Sequence, residues 1–201
     1  YGFGVWSLGI SWLYVSIYFY GNLSFITSLA LTIIFIAILS LYLGATLLLY
    51  YYLRFNSKFS IIFSLPLAWI VVEYLRSILF TGFPWLISGT MLADTLIDGW
   101  TPIIGAQGNT FLLLLLSSLL FLIIKDLKKL RNALLPLTFF ILLFISSFSL
   151  KQIEWTSLSG SIKASIIQPN LELEKKWSTE GILETKNMME MAIENAEEGE
   201  V

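Results

Sequence analysis

The sequence predicts an α-helical multi-span membrane protein that ends in a polar segment. Hydrophobic residues make up 57% of the 201 residues and charged residues only 13%, about half the share that is usual in soluble domains. Residues 1–53 contain no Asp, Glu, Lys or Arg. Five apolar segments are long enough to cross a bilayer, which takes about 17 to 25 residues. For residues 1–53 this composition excludes a soluble domain, a nucleic-acid binder and a disordered tail.

The five predicted spans follow one another closely. They cover about residues 3–20, 23–53, 59–80, 108–124 and 133–150. Each is bounded by charges, Gly, Pro or aromatic residues, which end or anchor membrane helices. The second is longer than one upright crossing needs, so we expect it to tilt, break or extend into the headgroups at its triple tyrosine, residues 50–52. Residues 1–150 are therefore interpreted as a polytopic membrane domain.

Positive charges predict the orientation of the spans. Basic residues fill two connections, with Arg54 and Lys58 in the first and Lys125, Lys128, Lys129 and Arg131 in the second. Short cytoplasmic loops are enriched in Lys and Arg, and an even number of crossings separates the two connections, so both are expected in the cytoplasm. The only charged residues between positions 81 and 107 are Asp94 and Asp98, as expected of a connection on the outer side. Five crossings then place the chain after residue 150 on the outer side.

After a linker at residues 151–160, residues 161–201 are predicted to begin a soluble domain. Residues 151–201 hold ten acidic and five basic residues. Residues 161–168 (SIKASIIQ) have the composition of a buried strand. A helix follows, capped by Ser178 or Thr179, and its apolar face comprises Ile182, Met189, Ile193 and Ala196. One strand and one helix cannot bury a core, so we expect the chain to be cut short at Val201. It also begins at Tyr1-Gly2 without Met or a basic region before the apolar run, so we expect truncation at the N-terminus too.

Two charges lie inside the third span. Glu73 and Arg76 are three residues apart, which places them on one helix face where they can form an intramembrane ion pair. Charges at membrane depth are costly and are often functional. The alternative is a structural ion pair between packed helices, or a pair near the outer interface.

Residues 81–107 are too apolar for an ordinary aqueous loop. Gly82 and Pro84 break the helix, and Phe83 and Trp85 suit the boundary between acyl chains and headgroups. Two interpretations stay open: a segment that re-enters the membrane and holds a lipid, or an aromatic belt that anchors the helix.

The sequence contains none of the residues or motifs of several common catalytic and metal-binding sites. It contains no Cys and no His, which excludes disulfides, zinc and iron–sulfur ligation and a Cys or His nucleophile or base within these residues. It contains no G-x-S-x-G motif of serine hydrolases, no G-x-G-x-x-G motif of dinucleotide-binding proteins and no P-loop. We therefore predict no metal and no cofactor.

Six short segments recur in an order and spacing that resemble one family. They are Gly2-Phe3-Gly4-Val5-Trp6, Ser11-Trp12-Leu13-Tyr14-Val15-Ser16-Ile17, Glu73-Tyr74-Leu75-Arg76, Thr81-Gly82-Phe83-Pro84-Trp85, Gln168-Pro169-Asn170 and Lys176-Trp177. Together they resemble bacterial apolipoprotein N-acyltransferases along essentially the whole chain. The resemblance implies a multi-pass protein of the bacterial inner membrane with a nitrilase-like αββα domain on the periplasmic side. This sequence would hold five of eight spans and the first strand and helix of that domain.

The resemblance also implies a reaction and its partners. An acyl chain moves from a phospholipid to the α-amino group of the diacylglyceryl cysteine of an apolipoprotein, through a Glu–Lys–Cys trio and a thioacyl-enzyme. No residue here matches that trio, so the catalytic residues are expected beyond Val201 and the fragment alone is predicted to be inactive. By resemblance, Trp177, Phe83, Trp85 and Gln168 belong to the substrate-binding region. The alternatives are a non-catalytic multi-span transporter or scaffold, and a relative that acts on another lipid-linked acceptor.

Overall fold

The structure is a computed structural model that describes residues 1–54, 58–126, 130–161, 166–172 and 175–194. Within those residues the chain forms α-helices joined by short turns. The helices are α1 (Gly2–Ile10), α2 (Trp12–Val15), α3 (Phe25–Leu53), α4 (Lys58–Ile78), α5 (Thr101–Lys125), α6 (Leu130–Leu150) and α7 (Thr179–Glu194). A π-helical turn covers Ser16–Tyr20, and 3-10 turns cover Leu79–Thr81, Ser88–Leu92 and Asp98–Trp100.

The prediction of a helical multi-span protein is confirmed. Among the described residues, four stretches are long and apolar enough to cross a membrane: Phe25–Leu53, Ile62–Thr81, Asp98–Lys125 and Arg131–Leu150. The first predicted span, residues 3–20, is interrupted at Ser11, so it counts as a fifth only if Gly2–Ile10 and Trp12–Tyr20 cross as one. Many large apolar side chains on these helices are exposed, as helices that face lipid require.

The fourth span begins earlier than predicted. We expected it at residue 108, whereas α5 starts at Thr101 with Pro102 in its first turn. At Gly105 the backbone leaves helical geometry, with φ 64° and ψ −177°. Only glycine adopts such dihedral angles readily, so Gly105 permits a break in α5 three residues before the predicted start of the span.

The chain divides into two compact units. The first comprises Tyr1–Trp12 and Leu29–Trp155. In it α5 packs against both α4 and α6, and a buried cluster fills the space between them: Leu92, Ile97, Leu112, Leu115, Leu116 and Leu119. The leucines of α5 recur three or four residues apart, so they line one helix face.

A second cluster joins α1 to α3 within the same unit. Trp6 and Ile10 lie one turn apart on α1 and pack against Ile36 and Leu39. Two hydroxyls of α3 are satisfied inside their own helix: Ser40 donates to the carbonyl of Ile36 at 2.7 Å and Thr46 to that of Tyr42 at 3.0 Å. This local bonding lets hydroxyls occupy a helix in an apolar medium.

The second unit comprises Leu13–Ser28 and Thr156–Val201. Its helix α7 begins where predicted, because the Ser178 hydroxyl accepts the backbone N–H of Gly181 at 3.1 Å and so caps the first turn. On the predicted apolar face Ile182, Met189 and Ile193 are all more than half exposed, and Ala196 lies outside the described residues.

The predicted strand at residues 161–168 is not found. Of these, 161 and 166–168 are described and are not in a strand, and 162–165 lie outside the described residues. A strand needs a hydrogen-bonded neighbour, and the described part of the chain contains no strand with which it can pair. The β-rich composition of this stretch is therefore insufficient by itself to form a strand.

Candidate functional site

The connection between α4 and α5, residues 79–100, is called the α4–α5 segment here. It starts with a sharp reversal in which Phe80, Thr81 and Gly82 all have positive φ. Gly82 is required at this reversal, since a Cβ there would collide with the carbonyl of Ser77. Phe80 is 93% exposed in this unusual backbone conformation. The reversal returns the chain toward α4 instead of away from it.

Arg76 fixes the first part of the α4–α5 segment. Its Nη1 donates to the carbonyls of both Phe83 and Trp85, the latter at 2.7 Å. The backbone N–H of Phe83 donates in turn to the carbonyl of Arg76 at 2.9 Å. The guanidinium also lies over the Trp6 ring, 4.9 Å from its centroid. Arg76 is 4% exposed, so its charge is satisfied by carbonyl oxygens and an aromatic face instead of water.

Glu73 fixes the next part, one helical turn away. Its Oε2 accepts the backbone N–H of Ser88 at 3.0 Å and the Ser88 hydroxyl at 3.1 Å. Its Oε1 accepts the hydroxyl of Thr110, which itself accepts the backbone N–H of Gly89 at 2.8 Å. Glu73 is 5% exposed and Thr110 is fully buried. One carboxylate therefore joins α4, α5 and the α4–α5 segment through charge-assisted hydrogen bonds.

The structure places the two charges of α4 together but gives each its own partners. None of the hydrogen bonds described above joins Glu73 to Arg76, so their direct ion pair stays a prediction. Both side chains bind the 83–88 stretch, which shows why α4 carries two buried charges. The cost of burying these charges is offset by hydrogen bonds to backbone groups of residues 83–88, which would otherwise need other partners.

The far end of the α4–α5 segment is fastened to the C-terminal end of α6. Lys151 Nζ lies 2.6 Å from an Asp98 carboxylate oxygen and donates to the carbonyl of Thr95 at 2.7 Å. The backbone N–H of Gly99 donates to the Ser147 hydroxyl at 3.0 Å. A Cβ at Gly99 would collide with the Ser147 carbonyl, so glycine permits this close approach. The segment is thus held at both ends.

Phe83 and Trp85 lie in an aromatic cluster. The Phe83 ring is edge-on to Phe35 of α3, with centroids 5.2 Å apart, and is 6.3 Å from the rings of Trp6 and Trp85. Trp85 packs on Trp12 at 5.5 Å and is 49% exposed. Phe83 is thus inside the helix bundle, whereas Trp85 presents half of its surface.

A cavity of about 330 Å³ lies beside these residues. Its walls come from α1, α3, α4 and the α4–α5 segment. The side chains in its lining that carry polar atoms include Tyr1, Trp6, Tyr42, Thr46, Glu73, Arg76, Ser88 and Thr90. Most of the remaining lining is apolar or aromatic. This combination is typical of pockets that bind small or amphiphilic molecules.

The other two predicted substrate residues belong to the second unit. Gln168 is exposed in a non-helical stretch. Trp177 precedes α7, is 79% exposed, and has Lys176 Nζ 5.5 Å from its ring centroid. Their substrate role stays a prediction.

Three residues of the site were not singled out as site residues from the sequence. Trp6 contributes an aromatic face, and Ser88 and Thr110 contribute hydroxyls. The polar Asn109-Thr110 pair at the start of a leucine-rich span was the feature that could have identified Thr110. Nothing in the sequence indicates that Ser88 folds back onto Glu73.

These observations define a class of protein: a polytopic helical membrane protein in which buried charges of α4 form hydrogen bonds with the α4–α5 segment. Residues 1–119 match the family model described as the apolipoprotein N-acyltransferase N-terminal domain. The chain therefore belongs to the apolipoprotein N-acyltransferase family, as the resemblance predicted.

Named relatives agree with the family model. An apolipoprotein N-acyltransferase of Coxiella burnetii is 33% identical over 189 residues, which is 92% of this chain and 39% of that protein. Those of Methylococcus capsulatus and Pseudomonas syringae are 31% and 33% identical, over 94% and 88% of this chain and 37% and 36% of theirs. The chain thus spans somewhat over a third of the length of the curated relatives it matches.

Proposed function

We propose that the protein to which these residues belong is an N-acyltransferase of bacterial lipoprotein maturation. It transfers an acyl chain from a phospholipid to the α-amino group of a diacylglyceryl-cysteine apolipoprotein. The observation that carries the proposal is the match of residues 1–119 to the N-terminal domain of that family. The residues described here supply lipid access, anchoring and orientation.

The proposed chemistry proceeds in two acyl transfers. The Glu takes the proton of the thiol, and the thiolate attacks the ester carbonyl of the phospholipid. The C–O bond breaks, the thioester forms, and the lysophospholipid leaves as an alcohol after taking that proton. The amine of the apolipoprotein then attacks the thioester carbonyl, the C–S bond breaks, and the proton that the amine loses returns to the sulfur as the amide forms. The Glu, Lys and Cys of this mechanism have no counterpart among residues 1–201, which we infer do not catalyse by themselves.

Phe83 and Trp85 are proposed to guide the lipid substrates. Support comes from the fixing of their backbone by Arg76 and from the half-exposed ring of Trp85, which is the kind of surface that binds acyl chains at a membrane interface. The buried charges bind protein groups, so no specific observation favours a transporter.

We propose that residues 151–201 lie on the periplasmic side of the inner membrane. The basic residues near Arg54 and Arg131 support this orientation. Single cysteines can test it in a variant of the intact protein from which other cysteines are removed. A cysteine at Ser159 should react with an impermeant reagent added to intact spheroplasts, and one at Arg54 should react only after lysis. The reverse pattern would invert the orientation.

The acyltransferase proposal is tested with the purified intact protein. Phospholipid with a labelled acyl chain and a diacylglyceryl-cysteine lipopeptide are supplied, and the N-acylated product is detected by mass spectrometry. Trp85→Ala should lower kcat/KM about tenfold or more, whereas Phe80→Ala, at an exposed ring outside the cluster, serves as the control. Absence of the amide product with the unaltered protein would refute the proposal.

Trp177 is proposed to position the lipoprotein substrate. Its exposed ring on a connecting loop supports a binding role, because loops carry many binding residues. Trp177→Ala should slow transfer to the lipopeptide more than formation of the acyl-enzyme. Both half-reactions can be followed by the accumulated thioester and the overall turnover. Unchanged turnover of a folded variant would remove Trp177 from the site.

A further inference from the structure

Residues 11–17 are among the segments that resemble the family, yet the proposed function gives them no role. Their tryptophan lies against the α4–α5 segment. The Trp12 ring packs on the Trp85 ring, with centroids 5.5 Å apart and an angle of 52° between the ring planes. The two side chains are 43% and 49% exposed. Together the two indoles therefore form one aromatic surface that is open to the surroundings of the protein.

The backbone and the ring of Trp85 are held by different residues. Its carbonyl accepts a hydrogen bond from Arg76 Nη1 at 2.7 Å, which fixes the main chain but leaves the indole free to change rotamer. Among the described aromatic pairs, the ring of Trp85 contacts Trp12 at 5.5 Å and Phe83 at 6.3 Å. Tilted aromatic pairs at these distances attract each other. The nearer ring, Trp12, is therefore the main aromatic restraint on the orientation of the Trp85 indole.

The chain before Trp12 supports the same stretch of the α4–α5 segment. On α1 the Trp6 ring contacts the Phe83 ring, and three residues later the Leu86 side chain occupies the space that a Cβ at Gly9 would need. Leu86 has a positive φ of 52°, which is unusual for leucine. Trp12 follows Gly9 by another three residues and begins α2. Three contacts at this spacing therefore hold residues 83–86, and the indole pair is the last of them.

We propose that Trp12 is a positioning residue, which holds the Trp85 ring in the orientation in which that ring contacts the lipid substrates. This inference rests on the proposed acyltransferase function, in which Trp85 guides the lipids. The competing role is that of an aromatic belt, in which each indole anchors its own part of the chain at the membrane interface, independently of the other. Positioning requires the two rings to act as one unit, whereas a belt does not.

Steady-state kinetics of the purified intact protein, with phospholipid supplied in mixed micelles, test this role. Trp12→Ala should raise the KM for phospholipid about twofold to tenfold, the range expected for the loss of one aromatic pair. It should leave kcat within about twofold, because the ring binds substrate and takes no part in bond making. Trp12→Phe keeps a ring against Trp85 and should return KM most of the way. Trp155→Ala, at an indole that is 47% exposed and outside the pair, is the matched control and should keep the unaltered KM.

A double variant shows whether Trp12 acts through Trp85. If it does, Trp12→Ala should change KM no further in a protein that already carries Trp85→Ala. Increases in KM that multiply in the double variant would overturn the proposal in favour of two independent anchors. An unchanged KM in a folded Trp12→Ala variant would also overturn it.

A substitution on α1 displaces the segment without altering either indole. Gly9→Val places a side chain where Leu86 lies and should raise the KM for phospholipid, whereas Gly4→Val, with open space around its Cβ, should not. Equal KM values for these two variants would contradict the proposal.

Melting temperatures in detergent show whether each variant is folded. Loss of the folded protein in both Trp12→Ala and Trp12→Phe would overturn the proposal, because Trp12 would then be a packing residue. Absence of product with the unaltered protein refutes the proposed function itself, whereas an active protein in which Trp12→Ala has no effect on KM refutes only this inference. The two failures are therefore distinguishable.

Discussion

Two stretches of this chain without α-helix differ in how their polar groups are satisfied. The α4–α5 segment is bound by Glu73 and Arg76 of α4 and by Lys151, the residue after α6, through hydrogen bonds of 2.7 to 3.0 Å. The described residues of 156–172, in the other unit, are mostly exposed. Water can satisfy an exposed backbone, whereas a backbone among apolar helices needs protein partners. The α4–α5 segment therefore needs the buried charges of α4 as hydrogen-bond partners among the apolar helices.

The largest effect that would test this comparison is expected at Gly89. A Cβ there would collide with the carbonyl of Ala106 and the amide of Thr110, both of them backbone atoms that cannot move aside cheaply. Gly89→Ala should lower the free energy of unfolding by about 3 kcal/mol, seen as a lower melting temperature of the intact protein in detergent. Gly44→Ala, with open space around its Cβ, is the matched control. Equal melting temperatures would mean that the segment does not pack as described.

The next effect is expected at Arg76. Arg76→Gln leaves the carbonyls of Phe83 and Trp85 without their charged donor and should cost about 3 kcal/mol of unfolding free energy. Thermal unfolding of Glu73→Gln and of the double variant completes a cycle. A double variant that loses less than the sum of the singles would support the predicted ion pair, and strict additivity would contradict it.

A smaller effect is expected in the second unit at Ser178. Ser178→Ala removes the cap of α7 and should cost about 1 kcal/mol of local helix stability. Hydrogen exchange of the amides in the first turn of α7 is the measurement. Ser178→Asp, which also caps helices, should restore protection. Protection that is unchanged in the alanine variant would show that α7 is held by contacts other than its cap.

The smallest effects distinguish two lysines. Lys151 is exposed, but it binds both the partly buried Asp98 and the carbonyl of Thr95, so Lys151→Met should cost about 1 kcal/mol. Lys186 pairs with Glu190 at 3.6 Å on the surface of α7, where both side chains are more than half exposed, and Lys186→Met should change stability by less than about 0.5 kcal/mol. Melting of the two variants at low and high salt should show salt dependence chiefly for the second pair. Equal losses would contradict the comparison.

The sequence allowed the helices to be predicted because apolar length and the cap at Ser178 are local properties. It also identified Glu73, Arg76, Phe83 and Trp85 as noteworthy. The partners Ser88 and Thr110 could not be predicted, since they meet Glu73 only after the reversal at residues 80–82. The strand predicted at residues 161–168 is not seen among the described residues, and composition alone does not supply the neighbouring strand that it needs.

The length of α3 has a consequence for the lipid around the protein. At about 1.5 Å per residue its 29 residues extend roughly 43 Å, well beyond a hydrocarbon core of about 30 Å. No charged residue lies within α3, and Arg54 marks only its C-terminal end. In a thin bilayer the helix must tilt or thicken the surrounding lipid, and in a thick one it can stand more upright. Since Ile36 and Leu39 pack against α1, such tilting is transmitted to that helix, and hydrophobic mismatch becomes a way for membrane composition to adjust this bundle.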